Sequence, residues 1–185
     1  MTDLNMPPPF AARSPAGRFP RLLTAAYLEE TTTVRVRFNE VDAMGVVWHG
    51  HYVNYFEEAR RAFGRRYDLD YPVFFAHNIP APVVQLRVEY LASARMDDLL
   101  DVTARLYQSD AARLDFEYEA RRASDNTLLA TGATLQVFTT PAGELLLAWP
   151  DFMRARLQSW ESLWKTPPSP GDSPLATRHS ENEMH

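Results

Sequence analysis

The chain has 185 residues, of which 45% are hydrophobic, 12% aromatic and 23% charged, a composition that is ordinary for one globular domain with a hydrophobic core. Its formal net charge of -5, with no clustered basic run, argues against a nucleic-acid partner. The sequence has no cysteine, which excludes disulfides, thiolate zinc sites, iron–sulfur clusters and a cysteine nucleophile.

The two ends of the chain differ in composition from its middle. Prolines are concentrated near both ends, together with small and polar residues. Such segments bury too little apolar surface to offset the entropy lost on ordering. We therefore expect a disordered proline-rich tail at 1–27, one folded domain at 28–165, and a disordered polar tail at 166–185. No apolar run approaches the roughly 20 residues of a membrane-spanning helix, and 1–27 lacks the order of a signal peptide, so we expect a cytoplasmic protein without a membrane span.

Five segments of the expected domain alternate apolar and polar side chains, which is typical of strands with one buried face. They cover residues 34–39, 84–90, 100–106, 114–121 and 133–137. The links between the last four are short and rich in Ser, Asp and Asn, which favours an antiparallel meander.

Two further segments have the apolar spacing of helices. The first lies between the first two strands, and its apolar stripe consists of Tyr52, Tyr55, Phe56, Ala59, Ala62 and Phe63. The second follows Pro150, with Asp151 as a candidate N-cap, and its apolar side consists of Met153, Leu157, Trp160 and Trp164. The order β-α-β-β-β-β-α predicts an α+β domain in which a five-stranded antiparallel sheet wraps round a central helix, with a C-terminal helix.

The segment between the first strand and the central helix contains three residues suited to chemistry: Asp42, His49 and His51. The N–H groups in the first turn of a helix have no partner inside the helix, and the helix dipole adds positive charge there. This end of the helix can therefore bind a developing oxyanion. A carboxylate seven residues before His49 can act as nucleophile or base, and Gly45 and Gly50 allow tight turns and close approach of a ligand.

Three sequence motifs in this region match a known family. Residues 42–49, DAMGVVWH, are similar to D-A-x-G-V-V-Y-H, and residues 52–60, YVNYFEEAR, are similar to Y-x-x-Y-F-E-x-A-R. Residues 94–99, ARMDDL, are similar to an A-R-x-D-D turn that precedes a strand. In these motifs the chain resembles the hotdog-fold acyl-CoA thioesterases, in the branch of 4-hydroxybenzoyl-CoA thioesterase and the YbgC thioesterases. The resemblance covers about residues 31–138 and implies a hotdog fold that hydrolyses the thioester of an acyl-CoA or of an acyl carrier protein.

The resemblance also implies roles for individual residues. Asp42 matches the catalytic carboxylate, which attacks the thioester or activates water, and His49 matches an active-site histidine whose backbone N–H binds the oxyanion. The implied oxyanion and substrate-binding residues are His49, Gly50, His51, Gly45 and Trp48. Position 48 is usually tyrosine in the family and position 51 is often asparagine or serine, so these two residues bear on acyl specificity.

A thioester is a good electrophile, so one carboxylate and an oxyanion site can hydrolyse it, and we expect no cofactor and no metal. CoA carries phosphates, and because Lys165 is the only lysine, arginines must bind them. The candidates are Arg60, Arg61, Arg65, Arg66 and Arg95. We expect self-association to a dimer or, more commonly, a tetramer. The predicted sheet has an exposed edge, and the resemblance implies that two copies join their sheets into one.

Other interpretations of the same residues stay open. Asp42 could cap a turn, and His49 could be a solvated loop residue. His49 and His51 with Asp42 could hold a metal, although no third nitrogen or sulfur ligand lies nearby in the sequence. A non-catalytic acyl-binding or scaffolding module of the same fold is the alternative function, whereas a hotdog dehydratase would need an H-x4-G-x3-P run that the sequence lacks.

The central helix offers a second source of a carboxylate. In another branch of hotdog thioesterases the catalytic carboxylate lies on the helix, which here would be Glu57 or Glu58. The simpler interpretation is that both pair with Arg60 and Arg61 on the helix surface.

Overall fold

The computed structural model describes residues 25–166, and in them one antiparallel sheet carries three α-helices. The strands are β1 Tyr27–Arg35, β2 Val83–Tyr90, β3 Leu99–Tyr107, β4 Arg113–Arg122 and β5 Leu128–Val137. The helices are α1 His51–Tyr67, α2 Tyr71–His77 and α3 Asp151–Ser159, and a short 3₁₀ turn spans Phe38–Glu40. The expected tails lie outside the described residues except at their inner ends, so the domain limits of 28–165 stay a prediction.

The five strands are arranged in the order β1-β3-β4-β5-β2, and every neighbouring pair is antiparallel. The predicted α+β class and five-stranded antiparallel sheet are confirmed. The predicted meander is wrong for β2, which pairs with β5 at one edge, whereas β1 pairs with β3 at the other. Only β3, β4 and β5 follow one another as hairpins, because the link between β2 and β3 carries the chain across the end of the sheet.

The first strand was predicted in the wrong place. It covers Tyr27–Arg35, not 34–39, and the chain then leaves the sheet. Val36 is fully buried, but Phe38 lies in the 3₁₀ turn and is 81% exposed. The true strand is rich in Glu and Thr, because its side chains form polar pairs across the edge of the sheet: Thr31 with Thr103 at 2.8 Å is one such pair.

The central helix α1 packs against one face of the sheet through the predicted stripe. Tyr55, Phe56 and Phe63 on this stripe are each no more than 3% exposed. Phe56 stacks on Tyr118 of β4, with ring centroids 4.9 Å apart. Gly132 of β5 lies directly below, where an added Cβ would collide with the Phe56 ring. A glycine at this position therefore allows the helix to approach the sheet closely.

The other two helices are short and lie beside α1. Sequence periodicity did not predict α2, which has seven residues and buries none of them. The predicted C-terminal helix α3 is confirmed, and it buries Phe152 and Met153. Asp151 does not cap it, because Pro150 is the N-cap residue and the Asp151 carboxylate pairs with Arg154 instead. Within residues 25–166 no helix is long and apolar enough to cross a membrane.

A cluster of ion pairs joins the end of the described chain to the first strand. Glu29 of β1 accepts hydrogen bonds from Lys165 Nζ at 2.8 Å and from Arg105 Nε at 2.9 Å. Burial raises the pKa of Glu29, but the bonds from Lys165 and Arg105 outweigh burial, so the pKa is lowered overall. The end of the described chain and β3 are thus both bonded to Glu29 of β1.

Candidate active site

The segment between β1 and α1 is a closed loop held by its own backbone. Asp42 N donates to Val46 O at 2.8 Å, and Trp48 N donates to Glu40 O at 2.9 Å. Gly45 turns the chain with a φ of +73°, a left-handed conformation that glycine adopts without strain. These bonds fix the loop geometry that leads from Asp42 to the helix.

Buried polar contacts anchor this loop to the rest of the domain. Glu40 is 9% exposed and accepts hydrogen bonds from Tyr55 Oη at 2.8 Å and from Arg37 N at 2.7 Å. Burial and the Glu40 carboxylate raise the pKa of Tyr55, so its hydroxyl keeps the donated proton. On the other side Val47 N donates to Ala94 O at 2.9 Å.

Asp42 is partly buried at the tip of the loop. Its Oδ1 accepts a hydrogen bond from Met44 N at 2.8 Å, so the carboxylate does cap a turn. Its Oδ2 has no hydrogen-bond partner among residues 25–166. The side chain is therefore fixed through one oxygen while the other stays available for chemistry.

The entrance of α1 presents two backbone donors. Gly50 is the N-cap residue of this 17-residue helix, and no side chain caps it. His51 N donates to Trp48 O at 2.9 Å, and Tyr52 N lies 3.4 Å from His49 O. In the described part of the chain the N–H groups of His49 and Gly50 donate to no acceptor. Free N–H groups at the positive end of a helix are the kind of donor that can stabilise an oxyanion.

An aromatic cluster surrounds this entrance. The Trp48 ring lies 4.7 Å from the His49 ring and 5.6 Å from the His51 ring, measured between centroids. The indole also covers Gly50, where an added Cβ would be 2.6 Å from Trp48 Cε3 and closer still to two other ring atoms. Asn54 Nδ2 lies 3.3 Å from His51 Nδ1. The structure thus brings Trp48, His49, Gly50 and His51 together.

Tyr90, at the end of β2, is a site residue that sequence reasoning missed. Its hydroxyl donates to His49 O at 3.0 Å, and its ring contacts those of His49 and Tyr52. In the sequence it is one more apolar position of an alternating strand. Because Tyr90 and His49 are 41 residues apart, no local pattern relates the two.

Several charged residues of the central helix form ion pairs with one another. Arg60 Nη2 donates to both carboxylate oxygens of Glu57, at 2.6 and 2.5 Å, and to Tyr71 Oη at 3.0 Å. The Arg60 side chain is only 13% exposed. Glu58 lies 3.9 Å from Arg61 on the helix surface. The pairing predicted for both glutamates is present, so Arg60 Nη2 is already bonded, whereas Arg60 Nη1 is buried without a hydrogen-bond partner among residues 25–166.

The remaining arginine candidates lie in two different places. Arg65 and Arg66 are near the far end of α1, about 20 Å along the helix axis from His51. Arg66 pairs with Glu30 at 3.0 Å, whereas the Arg65 side chain has no partner among residues 25–166. Arg95 is exposed and forms a backbone bridge with Val46 of the Asp42 loop. Of the candidates, Arg95 therefore lies at the loop itself.

A small cavity lies away from the Asp42 loop. It has a volume of about 30 Å³ and lies between Arg60, Tyr71 and Gln136. This volume is enough for one or two water molecules. Within residues 25–166 no group of three or more His, Asp or Glu side chains is placed to hold a metal ion.

Comparison with known proteins relates the chain to thioesterases. Residues 36–157 match the family model for the thioesterase-like superfamily. The chain is 33% identical to the acyl-CoA thioester hydrolase YbgC of Escherichia coli over 108 residues. These residues are 58% of this chain and 80% of that protein. It is also 32% identical to the acyl-CoA thioesterase YbgC of Haemophilus influenzae over 124 residues. These residues are 66% of this chain and 89% of that protein.

Solved structures show the same architecture. A 1,4-dihydroxy-2-naphthoyl-CoA thioesterase from Synechocystis has a TM-score of 0.64 at 21% identity, covering 72% of this chain and 98% of that chain. A hypothetical protein from Thermus thermophilus has a TM-score of 0.63 at 32% identity, covering 71% of this chain and 97% of that chain. These likenesses confirm the predicted hotdog fold.

Proposed function

The chain belongs to the thioesterase-like superfamily and is a thioester hydrolase, and on this basis we propose that Asp42 performs the hydrolysis of an acyl-CoA or acyl carrier protein thioester. The observation that carries the proposal is the pair of free N–H groups of His49 and Gly50 at the start of α1, which follows the Asp42 loop directly. A carboxylate and an oxyanion site are the two groups that this reaction needs.

In the proposed mechanism the thioester oxygen lies against the His49 and Gly50 N–H groups. These donors stabilise the negative charge that develops on the oxygen as the carbonyl carbon is attacked. Asp42 either adds to the carbon or takes a proton from the attacking water. The carbon–sulfur bond then breaks and the thiolate is protonated, by Asp42 in the general-base route and by water in the nucleophilic route, so that the thiol is released. The general-base route also releases the free acid at this step. In the nucleophilic route a water molecule hydrolyses the acyl–Asp42 anhydride and restores the carboxylate.

The side chains at the helix entrance hold the substrate in this proposal. Trp48, His49 and His51 form an aromatic wall beside the oxyanion donors. Arg95 is the arginine best placed to bind a CoA phosphate, because it borders the loop and its side chain has no partner in the described residues. An acyl-CoA substrate fits a cytoplasmic location.

We propose that two copies of the chain join through β2. Most of the exposed side chains on this edge strand are apolar: Val83, Val84, Leu86 and Tyr90 are 40 to 52% exposed, and Gln85 is the exposed polar residue among them. The opposite edge strand, β1, is rich in Glu and Thr. An edge strand with exposed apolar side chains can pair with the same strand of a second copy, which joins two sheets in a dimer. Two such dimers can then associate as a tetramer. Light scattering should give a multiple of 21.1 kDa, and a mass of 21.1 kDa would contradict the proposal.

The test of the reaction is Asp42→Asn, assayed by release of free thiol from short aliphatic, medium aliphatic and aromatic acyl-CoA. Asparagine keeps the Oδ1 that accepts from Met44 N and loses the charge. Turnover should fall at least about a hundredfold, or about 2.7 kcal/mol in the barrier, with circular dichroism unchanged.

Glu58→Gln is the matched control, because it makes the same carboxylate-to-amide change on the helix surface and should leave turnover unchanged. Near-normal turnover in folded Asp42→Asn would remove Asp42 from the mechanism. A wild-type protein that binds acyl-CoA but cleaves none of the panel would instead favour the non-catalytic module.

A further inference from the structure

The peptide group between His49 and Gly50 is held from one side only. A trans peptide is planar, so its C=O and N–H point in opposite directions. Tyr90 Oη donates to the His49 carbonyl at 3.0 Å. The N–H of Gly50, in the same peptide, therefore points away from Tyr90, and it has no acceptor in the described part of the chain.

Little else fixes this peptide. Tyr52 N lies 3.4 Å from His49 O, which is longer than the usual range for such a bond. Gly50 itself permits rotation, because it has no Cβ. By contrast, the preceding peptide is fixed by the 2.9 Å bond from His51 N to Trp48 O, which aims the His49 N–H independently of Tyr90. Of the two donors, the Gly50 N–H is the one whose direction depends on the Tyr90 hydroxyl.

Tyr90 is well suited to such a role, because a rigid element holds it. It is paired with Ala130 in the sheet, and the next residue, Leu91, donates through its N–H to Leu129 O at 2.8 Å. Its ring packs edge-on against those of Tyr52 and His49, with centroids 5.4 and 6.1 Å apart. The hydroxyl therefore has a fixed position relative to the start of α1.

We propose that Tyr90 is a positioning residue for the oxyanion site: its hydroxyl orients the His49–Gly50 peptide so that the Gly50 N–H joins the His49 N–H at the thioester oxygen. This inference rests on the proposed thioesterase mechanism. It also makes the edge strand β2 part of the catalytic arrangement. Since complete loss of one oxyanion donor lowers kcat by about a hundredfold or more, misdirecting the donor should cost about tenfold or more.

The experiment is Tyr90→Phe, which keeps the aromatic contacts and removes only the hydroxyl. Tyr67→Phe is a matched control, because the Tyr67 hydroxyl also donates to a backbone carbonyl, that of Glu29, at the same 3.0 Å. Both variants are compared with wild type for kcat and KM on an acyl-CoA that wild type cleaves. The Gly50 amide is followed by ¹⁵N–¹H NMR, and oligomer mass by light scattering.

Tyr90→Phe should lower kcat about tenfold or more, leave KM within about twofold, and shift the Gly50 amide resonance, while Tyr67→Phe should do none of these. An unchanged kcat in Tyr90→Phe beside an active wild type would overturn the inference and leave the proposed function intact. A raised KM with normal kcat would also overturn it, since Tyr90 would then contact substrate. An inactive wild type would instead mean that the proposed function has failed.

Discussion

Replacing Gly50 by alanine tests whether the indole of Trp48 shapes the entrance to the site. The added Cβ would be 2.6 Å from Trp48 Cε3, so the ring has to leave its place. The backbone at Gly50 is right-handed, with φ of -65° and ψ of -23°, so alanine itself fits without strain. The substitution therefore moves one side chain and should leave the fold intact.

The effects of this substitution on stability nearly cancel. Alanine in a conformation that it tolerates stabilises by about 0.4 to 1 kcal/mol relative to glycine. Trp48 is 49% exposed, and displacing its ring from those of His49 and His51 costs about 0.5 to 1.5 kcal/mol. The free energy of unfolding should change by less than about 1 kcal/mol, which is less than about 4 °C in Tm. Catalysis should respond more, with kcat/KM about tenfold lower, or about 1.4 kcal/mol.

The assay is a double-substitution cycle with Trp48→Ala, measured as kcat/KM for acyl-CoA. Without the indole there is no collision, so Gly50→Ala in the Trp48→Ala background should change kcat/KM by less than about twofold. An equal loss in both backgrounds would place the effect in the backbone of Gly50 and refute the reasoning. A Tm lower by about 8 °C or more would refute the premise that the ring is free to move.

Three further outcomes are expected. Gly132→Ala should lower the free energy of unfolding by about 1 to 3 kcal/mol, measured in urea, because its Cβ collides with the buried Phe56 ring. An unchanged midpoint would show that α1 can move away from the sheet without cost. Glu29→Gln should reduce stability at neutral pH. Because the pKa of Glu29 is lowered in the fold, its contribution is complete above the ordinary value of 4.5 and is lost as pH falls below it, so urea unfolding at several pH values should show the two proteins converging in acid. Arg95→Gln should raise KM for acyl-CoA about threefold or more with kcat unchanged, while the control Arg65→Gln should leave both unchanged; a larger effect in the control would place the CoA phosphates along α1.

The sequence by itself was sufficient where structure depends on near neighbours in the chain. The stripe that includes Phe56 and Phe63 predicted α1, because residues three and four apart share one face of a helix. Alternation predicted β3 and β4, whose buried and exposed positions follow the two-residue period. It also located β5 but gave the wrong buried face, because Thr134 and Gln136 are buried whereas Leu135 is only partly buried. The Asp42 loop and the start of the helix were located by their motif, which lies in one continuous segment.

Tertiary structure alone decided which segments pair and which side chains are free. Alternation states which face of a strand is buried but not which strand lies beside it, so β2 was placed next to the wrong neighbour. Apolar alternation did not predict the polar strand β1. This edge strand is stabilised by cross-strand pairs such as Thr31 with Thr103, which leave no apolar pattern in the sequence. The sequence also could not show that Arg60 is bonded to Tyr71, because Tyr71 belongs to the next helix.

The bond from Tyr90 to the His49 carbonyl is the clearest example. Tyr90 is unremarkable in its own segment, and its contact with His49 exists only because β2 pairs with β5 and thereby ends beside the start of α1. A local pattern reports the burial of a residue because burial repeats with the period of its own helix or strand. A contact across 41 residues depends on how whole elements pack, and packing is determined by the sum of many weak interactions that no single segment contains.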